Sequence, residues 1–190
     1  MVNKILNAKH WHIFLLTFLL PMVIQYTVMG IIFSQVSAAG APNMEIIFNY
    51  IKILPIIMVV FISALFAWFW SIGVGLQQVI PTPLKLKVSK FKLALLFNTV
   101  HILLFMAVFI KAFGSTNINT GLLPIVFIMH LIAMLCMFYS LYFMAKTLKT
   151  AELQKEVIFS DFVGEFFMLC FYPIGIWILQ PKINKMINKR

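Results

Sequence analysis

The sequence predicts an all-α integral membrane protein of four transmembrane helices followed by a carboxyl-terminal helix that Pro and Gly break. Three observations carry this reading. Apolar stretches over residues 13–33, 53–75, 93–110 and 122–144 contain no Asp, Glu, Lys or Arg, and each has the roughly 17–25 residues a helix needs to cross a bilayer. The 190-residue chain is 63% hydrophobic and 11% charged, far from the roughly 45–50% and 25% of soluble domains. Its lysines gather in alternate connections. Lys4 and Lys9 precede the first stretch, Lys85, Lys87, Lys90 and Lys92 separate the second from the third, and Lys146, Lys149 and Lys155 follow the fourth.

That alternation sets the threading, because Lys and Arg are retained on the cytoplasmic side. The other two connections carry little: Lys52 offset by Glu45, and Lys111 beside the neutral Gly114 to Gly121 turn. A bacterial cytoplasmic membrane location with the amino terminus inside is expected, and Trp11, Trp68, Trp70, Tyr139 and Tyr142 fall near the predicted inner interface, where amphipathic rings anchor. The net charge of +10 is then explained by anionic headgroups and not by nucleic acid. No polar, Gly-rich or Ser-rich stretch divides the chain, so one membrane domain over residues 1–190 is expected.

In the first stretch Pro21 predicts a kink. Ser37, Ala38 and Ala39 could form a signal cleavage site, but the apolar run before them exceeds the roughly 7–15 residues of a secretory core. Pro55 and Pro124 fall in the expected first turns of the second and fourth stretches, where the missing N–H is unpaired anyway. Ser63, Ala67, Ser71 and Gly75 repeat at four-residue spacing and form a ridge of small residues, suited to close packing within the monomer or to a homo-oligomer. Leu84 to Lys92 alternates apolar and basic residues and reads as a surface-hugging loop with snorkelling lysines, or as a dock for an acidic partner.

Four polar residues lie at depth: Gln25, Asn98, His101 and His130. At about 1.5 Å per residue, His101 sits about 12 Å from the inner end of its helix and His130 about 12 Å from the outer end of its own, a depth difference of about 6 Å in a core of about 30 Å. The two imidazoles can therefore approach each other. The plainest use of such residues is interhelical hydrogen bonding; a proton or ion path and, less favoured, a b-type haem site are the alternatives, and no cofactor or metal is expected. Cys136 and Cys170 form no CxxC and read as small hydrophobes.

Residues 158–180 are the anomaly. The run is apolar, yet Asp161 and Glu165 lie one helical turn apart near its start, and Pro173 and Gly175 are expected to break it near its end. Between Glu165 and Gln180 the apolar residues are too few for a comfortable span, and the tail carries Lys182, Lys185, Lys189 and Arg190. A fifth crossing would place those charges outside, so an interfacial or re-entrant element that returns to the cytoplasm is favoured. Tyr172 and Trp177 are suited to headgroup anchoring, and Gln180 with Pro181 ends the apolar run. The element is either an amphipathic anchor or a docking or gating piece in which Asp161 and Glu165 pair the Lys-rich loop. The run AKTLKTAELQKEVIFSDFVGEFFMLCFYPIGIWILQPKINK, residues 145–185, resembles the carboxyl-terminal signature of a family of uncharacterised small multi-pass bacterial membrane proteins, in which an acidic-aromatic stretch precedes aromatic-Pro-Ile-Gly-Ile-Trp and Gln-Pro-basic-Ile-Asn. The resemblance implies a bacterial membrane location and directs attention to this segment; it implies no activity.

GxSxG, HExxH and GxxxxGK[ST] motifs are absent, and no carboxylates pair within the apolar stretches. The expectation is a non-enzymatic interaction, scaffold or accessory protein that meets anionic lipid and a protein partner at its cytoplasmic face. A small transport, channel or proton-linked protein using the polar cluster is the alternative.

Overall fold

The computed structural model describes residues 2–38, 44–114 and 123–188, with the side chains of 36–38, 44–54, 56, 112–114 and 123 outside that description. Ala39, the turn between Gly114 and Gly121, and Lys189 and Arg190 fall wholly or partly outside it. The elements are α1 (Val2–Leu6), α2 (His10–Phe14), a π-helical turn (Leu15–Leu19), α3 (Leu20–Ala38), α4 (Met44–Gly73), α5 (Ser89–Gly114), α6 (Leu123–Leu153), α7 (Phe159–Cys170) and α8 (Tyr172–Asn188), with short 3-10 turns at Gly75–Gln78 and Thr82–Leu84. Among the described residues there is no strand. Among the described residues, four helical stretches are long and apolar enough to cross a membrane: His10–Gln35, Ile57–Gln78, Ser89–Lys111 and Pro124–Leu153.

The first of these is one helix with a widened turn. Pro21 has no N–H to offer the carbonyl four residues earlier, and its ring crowds that turn. The backbone answers with the π turn at Leu15–Leu19, so the expected kink takes the form of one extra residue wound in before the proline. Pro55 differs from expectation: α4 begins at Met44, well before the apolar stretch, and Pro55 lies inside the helix rather than in its first turn. Pro124 is in the first turn of α6 as expected.

The tightly packed core occupies one end of the bundle. Phe66, Phe69, Ile72 and Leu76 of the second long helix and its turn meet Phe91 and Leu95 of α5, Met144 and Leu148 of α6, and Phe162, Leu169, Ile176 and Leu179 of α7 and α8. Beyond this end the helix faces are apolar and exposed, as at Leu103, Leu104, Phe127, Ile128 and Leu135. The packed end is also the lysine-bearing end. There the segment 84–88 turns Leu84, Leu86 and Val88 onto the core while Lys85 and Lys87 point away, which is the physical content of its alternation. Lys92 lies 5.4 Å over the Trp70 ring, a cation–π contact. Trp68 departs from the interfacial role expected of it and is buried in the core.

Candidate functional site

The carboxyl-terminal element is a helical hairpin. The break falls at Phe171, whose φ of −98° and ψ of 54° leave the helical region, two residues earlier than the expected break at Pro173. The proline instead enters the first turn of α8, where no N–H is required. Gly175 lies inside α8, and its place is set by close approach: an added Cβ there would overlap the Met168 carbonyl group of α7. Helix α8 then runs antiparallel to the first long helix. Tyr172 donates its hydroxyl hydrogen to the Thr17 carbonyl at 3.1 Å, Trp177 packs on His10 and Phe14 at centroid distances of 4.6 and 5.5 Å, and Gln180 reaches the chain at Ile5 to Ala8. The Thr17 carbonyl is the one Pro21 cannot serve, so the two features complete each other across 155 residues.

Gln180 is the most heavily used side chain in this arrangement. Its Oε1 accepts from Trp68 Nε1 at 2.9 Å. Its Nε2 donates among the carbonyls of Ile5, Leu6 and Ala8 at 3.2, 3.0 and 3.0 Å, and towards Asn184 Oδ1 at 2.9 Å. Asn184 Nδ2 adds a bond to the Ala8 carbonyl at 3.1 Å. Leu6 closes α1, whose last carbonyls a short helix cannot satisfy itself, while the Ile5 carbonyl also accepts the Ala8 N–H at 3.1 Å. A wholly buried amide thus ties the amino-terminal turn, α4 and α8 together.

Beside it, four charges form a closed ring of alternating sign. Lys149 contacts Glu152 at 2.9 Å and Glu165 at 3.2 Å, while Lys182 contacts Glu165 at 3.3 Å and Glu152 at 3.5 Å. Glu165 is buried. The ring joins the end of α6 to both arms of the hairpin, so the partners of Glu165 are on α6 and α8, not on the 85–92 segment as expected. Asp161 caps: its carboxylate accepts the Ile158 N–H at 2.9 Å, placing negative charge at the amino terminus of α7, where the helix dipole favours it.

Burial alone would raise the Glu165 carboxyl, but a backbone hydrogen bond, the two lysine ammonium donors and the Lys149 charge outweigh it and hold the group below its ordinary value of 4.5. A carboxyl depressed on folding adds stability above its unfolded value, and that stability is lost as pH falls through the folded value. Wild type is therefore expected to unfold at higher temperature than Glu165→Gln at neutral pH, with the difference shrinking below pH 4.5. A difference independent of pH in thermal unfolding of the purified protein would refute this role.

The expected polar interior divides in two. His101 Nε2 and His130 Nδ1 lie 3.3 Å apart, so α5 and α6 are hydrogen-bonded through the pair that the depth count placed within reach. Asn98 is buried but donates to Ala94 O of its own helix at 3.0 Å, and Gln25 faces a separate space on α3. The small-residue ridge also divides: Ser71 and Gly75 are buried, with Gly75 against Val2 and Leu6 of α1, while Ser63 is exposed.

Together these features define a helical protein with four helices apolar enough to cross a membrane and a hairpin clamped to their basic end. Comparison of the chain with protein-family models, curated proteins and solved structures gives no match.

Proposed function

We propose that the chain is a multi-pass protein of the bacterial cytoplasmic membrane with both termini in the cytoplasm, and that its hairpin re-enters the inner leaflet. The carrying observation is the antiparallel register of α8 against the first long helix. With Gln180 level with Leu6 to Ala8 and Tyr172 level with Thr17, the hairpin tip reaches about 10 Å beyond His10 at 1.5 Å per residue. That is a third of a core of about 30 Å. The tip is apolar and exposed at Phe171 and Ile174, which suits lipid, and the arms end among lysines, which suits anionic headgroups.

The role this supports is non-enzymatic. The protein presents its basic end as a scaffold or accessory surface to lipid headgroups and to a partner protein. A basin of about 680 Å³ lined by Gln78, Gln154, Glu152, Lys182 and Lys185 lies on that end. A reporter tag fused after Arg190 is expected to be cytoplasmic, and the same tagged protein, isolated in mild detergent, to carry a stoichiometric partner that is lost when Lys85 and Lys87 become Glu. A tag outside would replace the re-entrant hairpin with a fifth span, and isolation without a partner would remove the scaffold role.

A further inference from the structure

Thr17, Pro21 and Gln25 of the first long helix face Met58 and Phe61 of α4 across a cavity of about 190 Å³ whose wall includes Tyr172 at the hairpin tip. The other wall residues are aliphatic and none is charged. Two features place hydrogen-bonding capacity here. The Tyr172 hydroxyl donates to the Thr17 carbonyl and keeps its oxygen lone pairs available, and the exposed Gln25 amide has no hydrogen-bonding partner among the described residues. An amide without a partner inside an apolar span is costly, and π turns concentrate at functional sites.

Depth selects the occupant. Thr17 and Gln25 lie about 10 and 22 Å along the helix from His10, so the cavity straddles the middle of a core of about 30 Å. A phospholipid keeps its ester carbonyls and phosphate at the edges of that core and offers only hydrocarbon at this level. We propose that the cavity binds a bilayer-soluble molecule whose uncharged head, a carbonyl or hydroxyl, lies among apolar groups and hydrogen-bonds the Gln25 amide, with its apolar tail leaving past exposed Met58. This rests on the membrane placement proposed above.

The test uses the full chain in phospholipid vesicles with two photoreactive diazirine probes, one a long-chain alcohol and one a phosphatidylcholine with the label mid-chain. The alcohol is expected to label peptides around Gln25 and Met58 preferentially and to be displaced there by unlabelled alcohol. Labelling at this site should fall about fivefold in Gln25→Leu, as loss of one neutral hydrogen bond implies, and also in Met58→Trp, which fills the space; both positions are exposed, so folding is unaffected. Labelling equal to that at lipid-facing Leu93 and Phe127, or a phosphatidylcholine signal at the site that the alcohol does not displace, overturns the proposal while leaving the membrane placement intact. Absence of labelling at Leu93 and Phe127 by either probe overturns the placement and the site together.

Discussion

Gly175→Ala is expected to be the most damaging single substitution in the hairpin, costing about 3 kcal/mol or more. The reason is geometric. A Cβ at Gly175 would overlap the Met168 carbonyl group, which is backbone and cannot rotate aside as a side-chain tip can. The hairpin must open to make room, and opening it pulls Lys182 from Glu165 and Tyr172 from Thr17. For a chain of this size the loss corresponds to roughly 6–12 °C in the midpoint of thermal unfolding. Gly164→Ala is the matched control: it lies on the other arm with nothing within 4 Å of an added Cβ, and in a helix interior Ala is favoured over Gly by about 0.5–1 kcal/mol. Equal midpoints for the two variants would show that the arms are not in the contact described.

Gln180→Leu is expected to cost about 3 kcal/mol. The side chains are of similar size, so the loss is one of hydrogen bonding: Trp68 Nε1 loses its acceptor and the Leu6 carbonyl its donor, each buried group left bare costing about 1–3 kcal/mol, while the Ile5 and Ala8 carbonyls keep the Ala8 N–H and Asn184 Nδ2. The effect should be local as well as global, with backbone amides of residues 2–8 exchanging hydrogen faster while those of α5 do not change. Trp68→Phe added to Gln180→Leu should cost less than the sum of the two single changes by about 0.5 kcal/mol or more, because it removes the stranded indole donor. Strict additivity would mean that the amide and the indole do not depend on each other.

Much of the architecture was legible. The four apolar stretches announce themselves by length alone, and the depth count that brought His101 near His130 needed only the rise per residue and an antiparallel pairing of neighbours. The hairpin was legible in outline, since Pro173, Gly175 and the acidic start at Asp161 and Glu165 mark a broken helix. The partners were not. Glu165 has lysines before and after it in sequence, and nothing local distinguishes the 85–92 segment from Lys149 and Lys182 as its counter-charges. Gln180 read as the residue that ends an apolar run, whereas it is the centre of a buried network whose partners only the folded chain brings to it. Thr17 was passed over for the same reason, although a proline four residues later frees its carbonyl and calls for a donor from elsewhere.

The sequence by itself determined the class of helix, the number of stretches able to cross a membrane and the end at which charge collects, because these follow from composition and spacing along one segment at a time. Only the tertiary structure decided that the core sits at the lysine-bearing end, that α8 lies antiparallel to the first long helix, and that Gly175, Gln180 and Glu165 hold it there. Those outcomes depend on close approach and on hydrogen-bond partners more than a hundred residues apart. Side-chain chemistry states what a group needs, but only the folded chain determines which distant group supplies it.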